Sequence, residues 1–182
     1  MVRAGTEPVY VGVGSNQANR NENIALALLM LEADSRIRVK VCSQAYLTEP
    51  VSEIPQPTFV NAVVELETSC EPASLLGKLK EIETLLGRTA GRRWGPRAID
   101  LDILFFGKRI VREPELRVPH PRLEERHFVL YPLTEIAPAF IHPVSGLTVT
   151  ELKRRLPRIG CPPRCVRWGR VPRWSTVSSA TP

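Results

Sequence analysis

The chain predicts an α+β fold of order βαββαβ, an antiparallel sheet carrying two helices on one face. Three observations predict it. Four segments alternate as strands do, two carry the stripe of an amphipathic helix, and Gly or Pro punctuation falls between them. The 182 residues are 43% hydrophobic and 24% charged, the composition of one globular domain rather than a disordered, fibrous or coiled-coil chain.

Val9, Val11 and Val13 alternate in the first strand, which runs into Gly14-Ser15-Asn16, a turn rich in capping candidates. Asn21–Ala33 places Ile24, Ala27, Leu28 and Leu31 on one helical stripe. Ile37, Val39 and Val41 alternate with Arg38 and Lys40 as a second strand. Leu47–Pro57 holds three prolines and reads as a loop of functional length. Thr58–Glu67 is the third strand, with Val60, Ala62, Val64 and Leu66 on one face and Phe59, Asn61, Val63 and Glu65 on the other.

Pro72 stands in the first turn of a second helix with Leu75, Leu79, Ile82 and Leu86 as its stripe, and Gly87 is placed to end it. Arg88–Arg97 is an arginine-rich loop. Ile99–Phe106 is the fourth strand, with Ile99, Leu101, Ile103 and Phe105 facing the core and Asp100, Asp102, Leu104 and Phe106 facing the other way. A Gly107 turn and a short Arg109–Val111 strand follow, and Pro119–Leu156 reads as loops and short helices. The order is the split-βαβ, ferredoxin-like pattern.

The charge is uneven. Beyond Thr150 there are eight basic residues and one acid, Glu151, a net +7, whereas residues 1–150 hold 17 basic and 18 acidic residues, a net −1. The basic balance belongs to the C-terminal segment and does not argue for nucleic-acid binding by the body. The expected organisation is a folded domain over 8–157 and a loose basic Pro/Arg/Ser-rich tail over 158–182, either solubilising or a docking arm. No apolar run approaches the ~20 residues of a membrane helix, and Met1–Pro8 lacks a signal-peptide core, so a cytoplasmic protein is expected. The cysteines, Cys42, Cys70, Cys161 and Cys165, form no paired motif and read as free thiols; Cys161-Pro-Pro-Arg-Cys165 has metal-like spacing but no second ligand pair.

Asp100-Leu101-Asp102 is the sharpest chemical signal. Strand residues i and i+2 share a face, so the two carboxylates reach a common ion site, and hard oxygens suit Mg²⁺ with phosphates as further ligands. The plainer alternative is a solvated strand start with arginine salt bridges. Arg88, Arg92, Arg93 and Arg97 lie just before the pair, and guanidinium forks match phosphate oxygens. A carboxylate pair beside an arginine loop points to phosphoryl or pyrophosphoryl transfer. Gly12-Val13-Gly14-Ser15-Asn16 lacks the Lys of a phosphate-binding loop. Phe59 and Asn61 share a strand face and suit stacking and hydrogen bonding to a flat heterocycle; Trp94 and Phe128 are further aromatics near loops, with core packing as the alternative for each. His120, between Pro119 and Pro121, is positioned for a phosphate contact or a turn.

Four runs occur in order: Gly12-Val13-Gly14-Ser15-Asn16, Phe59-Val60-Asn61, Arg93-Trp94-Gly95-Pro96-Arg97-Ala98-Ile99-Asp100-Leu101-Asp102 and Val118-Pro119-His120-Pro121-Arg122. Together they resemble the 6-hydroxymethyl-7,8-dihydropterin pyrophosphokinase family of folate biosynthesis over about residues 8–156, and the third run is the specific part. The resemblance implies ATP as co-substrate, a pterin acceptor, and two Mg²⁺ held by Asp100 and Asp102. It implies nucleotide contacts from Lys80, Glu83, Arg88, Arg97, the Ile103 backbone, His120 and Arg126, with Arg88, Arg97, Asp100 and Asp102 as the catalytic set. It implies pterin contacts from Thr48, Pro50, Val51, Phe59, Asn61, Trp94 and Phe128. Lys80 and Ser52 depart from the family's residues at their positions, and the Arg88–Trp94 loop is slightly short. A monomer acting on small molecules is expected. A nucleic-acid-binding module of the same fold is the alternative; Phe59 stands alone on its strand face where an RNA-binding sheet needs paired aromatics. A further alternative is a body that has lost catalysis, against which the aspartate pair and Arg97 stand.

Overall fold

A computed structural model describes residues 7–17, 19–50, 55–87 and 96–157, and the backbone of 166–170. The elements run β1 (Val9–Ser15), α1 (Arg20–Glu32), β2 (Ile37–Cys42), β3 (Gln44–Thr48), β4 (Phe59–Thr68), α2 (Pro72–Leu85) and β5 (Asp100–Phe106). They continue with β6 (Val111–Arg112), β7 (Arg117–Val118), a 3-10 turn at Leu123–Glu125, α3 (His127–Ile136), α4 (Val149–Arg155) and β8 (Val166–Arg170). The main sheet is antiparallel, in the order β5-β1-β4-β3-β8, with β2 also paired to β4. The α+β, ferredoxin-like expectation holds.

The apolar stripes explain the layering. Ile24, Leu28 and Leu31 of α1 and Leu75, Leu79 and Ile82 of α2 pack on Val11, Val13, Leu101 and Ile103. Pro72 opens α2, and Gly87, at φ 94°, follows its end in the left-handed region that a side chain would resist. On the opposite sheet face, Val129, Leu130 and Leu133 of α3 with Val149 and Leu152 of α4 cover Tyr10, Val63 and Phe105.

Four expectations need correction. Leu47 and Thr48 belong to a strand, not a loop. The ladder to β4 is broken at Ser43, whose N–H donates to Val63 O (2.9 Å) and whose Oγ accepts from Val63 N–H (3.0 Å). A side-chain oxygen thus stands in for a backbone one, and the alternation is split into two short runs. In β5, Phe105 and Phe106 exchange faces. The register passes from Val11↔Ile103 to Tyr10↔Phe105, and this bulge at Leu104 sends Phe106 to the α1/α2 side and Phe105 to the α3/α4 side. The short strand after Gly107 is Val111–Arg112, paired with Arg117–Val118. Finally, the backbone of Val166–Arg170, inside the expected loose tail, pairs with β3. An edge strand offers unpaired backbone groups, and pairing with them demands little side-chain periodicity.

Candidate active site

The site lies on the α3/α4 face of the sheet, beyond the part those helices cover. The register brings its parts together. Gly14 pairs with Asn61 on one side and Asp100 on the other; Gly12 pairs with Val63 and Asp102. Directly opposed residues share a face, so β1 contributes two glycines between the carboxylates of β5 and the amide of β4. With strands spaced about 4.8 Å apart, the two sides stand roughly 10 Å apart across a strand that presents no side chain. A Cβ on Gly14 would lie 2.6 Å from Asn61 Oδ1, so any side chain here forces the Asn61 amide to move.

On the β5 side, Asp100 Oδ1 accepts from Arg97 Nη1 at 2.6 Å, and Asp102 Oδ2 accepts from Arg126 Nη1 at 3.2 Å. The carboxylate side chains keep 27% and 35% of their surface exposed. His120 Nε2 lies 3.8 Å from Asp102 Oδ2 and 3.3 Å from Arg126 Nη1. The His120 N–H donates to Leu104 O at 3.0 Å, which ties this loop to β5. Burial pushes the His120 pKa down, against the pull of Asp102, and burial likewise lowers that of Arg126. The Arg126 guanidinium also stands 5.4 Å from the centroid of the Phe128 ring, linking the charged side to an aromatic one.

On the β4 side, Asn61, 8% exposed, donates to Thr48 Oγ1 at 2.7 Å, and Thr48 is buried. Thr48 pairs with Phe59, which is half-buried, as are Pro50 and Phe128. The structure therefore brings together Arg97, Asp100, Asp102, His120, Arg126 and Phe128, and separately Thr48, Phe59 and Asn61. Arg88, Trp94 and Val51 lie outside the described residues.

Glu83 is fully buried, and its carboxylate accepts from Leu101 N–H (2.8 Å) and Lys80 Nζ (2.9 Å). It braces β5 at Leu101. Lys80 is exposed. Since Leu101 turns its N–H to the outer edge of β5, strand alternation turns the backbone groups of Ile103 to that same edge. Sequence reasoning missed the spacer role of Gly12 and Gly14; glycines two apart within a strand are the signal that marked it.

The pair fits a hard divalent cation only in part by itself. Among the described residues no cluster of three or more His, Cys, Asp or Glu forms a cage. Two partly exposed carboxylates on one face suit Mg²⁺, which takes waters and substrate phosphates as its other ligands. Among the described residues no helix is long and apolar enough to cross a membrane.

The family model described as 7,8-dihydro-6-hydroxymethylpterin-pyrophosphokinase (HPPK) matches residues 10–138. A Pseudomonas aeruginosa protein named 2-amino-4-hydroxy-6-hydroxymethyldihydropteridine pyrophosphokinase is 45% identical over 149 residues, covering 82% of this chain and 91% of its own length. A Bacillus subtilis protein of the same name is 43% identical over 127 residues, covering 70% and 76%. The Pneumocystis carinii folic acid synthesis protein is 43% identical over 145 residues; this chain spans 80% of itself but 20% of that longer protein. Plasmodium falciparum HPPK-DHPS shares the fold, with a TM-score of 0.62 at 17% identity, over 82% of this chain and 44% of that one. The matched region contains the glycine spacer, the aspartate pair and their arginines, and the chain belongs to the 7,8-dihydro-6-hydroxymethylpterin-pyrophosphokinase family.

Proposed function

We propose that the chain transfers the pyrophosphoryl group of ATP to the hydroxymethyl oxygen of 6-hydroxymethyl-7,8-dihydropterin in folate synthesis. The observation that carries this reading is the side-chain-free strip at Gly12 and Gly14 between a charged side and a neutral aromatic side. It supports a triphosphate on one side and a flat heterocycle on the other. The hydroxymethyl oxygen attacks the β-phosphorus, the bond from that phosphorus to the α–β bridging oxygen breaks, AMP leaves, and the hydroxyl proton is released.

Arg97 and Arg126 exchange their present carboxylate partners for phosphate oxygens and stabilise the charge that moves to the leaving AMP. Asp100 and Asp102 would hold two Mg²⁺ ions, which would supply positive charge against the triphosphate. His120, whose pKa burial pushes down, offers a hydrogen bond to the phosphates. The Ile103 backbone, on the outer edge of β5, meets the adenine. Phe59 and Phe128 enclose the pterin ring and Asn61, held by Thr48, reads its polar edge. Arg88, Trp94, Pro50 and Val51 complete the site by family likeness.

The test is product identity. With ATP and Mg²⁺, AMP should form only when the pterin is present, and no ADP should form. ADP formation would make the enzyme an ordinary kinase and overturn the position of attack. No nucleotide product from folded protein would overturn the activity.

A further inference from the structure

The turn between β1 and α1 touches both substrate-side segments, and one side chain does most of the joining. Asn16 is 1% exposed. Its Oδ1 accepts from Arg97 N–H at 2.7 Å, and its own N–H donates to Arg97 O at 3.1 Å, so the backbone of Arg97 is held on both sides. Its Nδ2 donates to Gln56 Oε1 (3.0 Å) and Pro57 O (3.2 Å), in the segment that leads directly into Thr58 and Phe59. Two neighbours reinforce the join. Asn23 Nδ2 donates to Ala98 O (3.1 Å) and Gln17 O (3.0 Å), and Arg20 Nη1 donates to Thr58 O and Oγ1, both at 2.8 Å.

The carboxamide of Asn16 faces both ways: acceptor to the phosphate-side segment, donor of both N–H groups to the pterin-side segment. A capping role at α1 does not account for it, because α1 begins after Asn19 and receives no side-chain cap bond. We propose that Asn16 is a positioning residue that fixes the phosphate-side Arg97 and the pterin-side strand entry at Phe59 relative to one another. It acts through these backbones and not on substrate. This rests on the reaction proposed above.

The two arms of the amide can be cut separately. Asn16→Ala removes both, and should raise KM for ATP and for the pterin and lower kcat by roughly tenfold or more, the scale of losing hydrogen bonds that orient a charged group. Asn16→Asp keeps the acceptor for Arg97 N–H and loses the donor, and should raise the pterin KM about tenfold while leaving the ATP KM within about twofold. Gln56→Ala, at a half-buried site, cuts only the pterin-side arm and keeps the proposal testable if the Asn16 variants fold poorly. It should repeat the pterin-selective effect at smaller size. Equilibrium titration of pterin and of a non-hydrolysable ATP analogue reads the same split without turnover. A merely structural Asn16 would lower the active fraction and leave both KM values and both affinities alone; that result, or Gln56→Ala affecting ATP and pterin equally, overturns the proposal. Wild-type enzyme run alongside separates the two ideas: no pterin-dependent AMP from it counts against the reaction, whereas normal wild-type turnover with unselective variants counts against Asn16 alone.

Discussion

The two sides of the site are built by opposite means. The β5 side is charged and half-open: Asp100 with Arg97 and Asp102 with Arg126, each pair partly exposed. The β4 side is neutral and closed: the Asn61–Thr48 bond is buried, and Gly14 is pressed against the amide. Partly exposed ion pairs contribute little to stability and exchange partners at small cost. A buried hydrogen bond between neutral groups is set at folding and penalises any ligand that fails to match it. The charged side is suited to a ligand that brings charge and redistributes it during reaction. The neutral side is suited to recognising a fixed shape.

The largest break in this comparison is expected on the charged side. Asp102→Asn or Asp100→Asn should lower kcat by about 10²-fold or more, the scale of removing one preorganised electrostatic partner, with the circular-dichroism spectrum unchanged. On the neutral side, Gly14→Ala must displace Asn61 Oδ1 from 2.6 Å and should raise the pterin KM about tenfold, leaving the ATP KM in place. The brace beneath the charged side is next. Glu83→Leu strands the buried Leu101 N–H and should cost about 1–3 kcal/mol in urea unfolding, whereas Glu83→Gln, which keeps an acceptor, should cost less.

The smallest effect lies on neither side. Burial holds His142, like His120, below the ordinary histidine value of 6.5. Their folded-state pKa values are depressed, so their contribution to stability is complete above pH 6.5 and is lost as pH falls through the folded-state values. His142 accepts from Val144 and Ser145 N–H in its own turn and packs edge-on to Phe105. His142→Gln should flatten part of this acid limb in melting curves taken across pH and leave both KM values unchanged.

The legible and illegible parts of the molecule divide along the same physical line. The stripes of α1 and α2 and the alternation of β1 and β4 were readable because burial demands a period, and Asp100-Leu101-Asp102 was readable because a strand fixes which side each residue takes. The exchange of Phe105 and Phe106 was not, since one bulged residue reverses a face without changing composition. β3 was hidden by Ser43, whose side chain replaces a ladder partner, and β8 by a backbone pairing to an edge strand, which demands little periodicity. Glu83 was expected at the nucleotide through the family resemblance alone; its burial and its bond to the Leu101 N–H are tertiary facts that no local pattern carries. Asn16 looked like a cap because turns favour Asn, and its three partner residues lie about 40 and 80 residues away.

The central claim is that the two sides hold different substrates, and the most direct measurement is a crossed titration. Asp102→Asn and Asn61→Ala are each titrated with a non-hydrolysable ATP analogue in Mg²⁺, and with the pterin at saturating analogue. The account predicts that Asp102→Asn weakens the nucleotide at least about tenfold with pterin affinity nearly kept, and that Asn61→Ala does the reverse. Both variants weakening the same ligand, or both ligands alike, would contradict it.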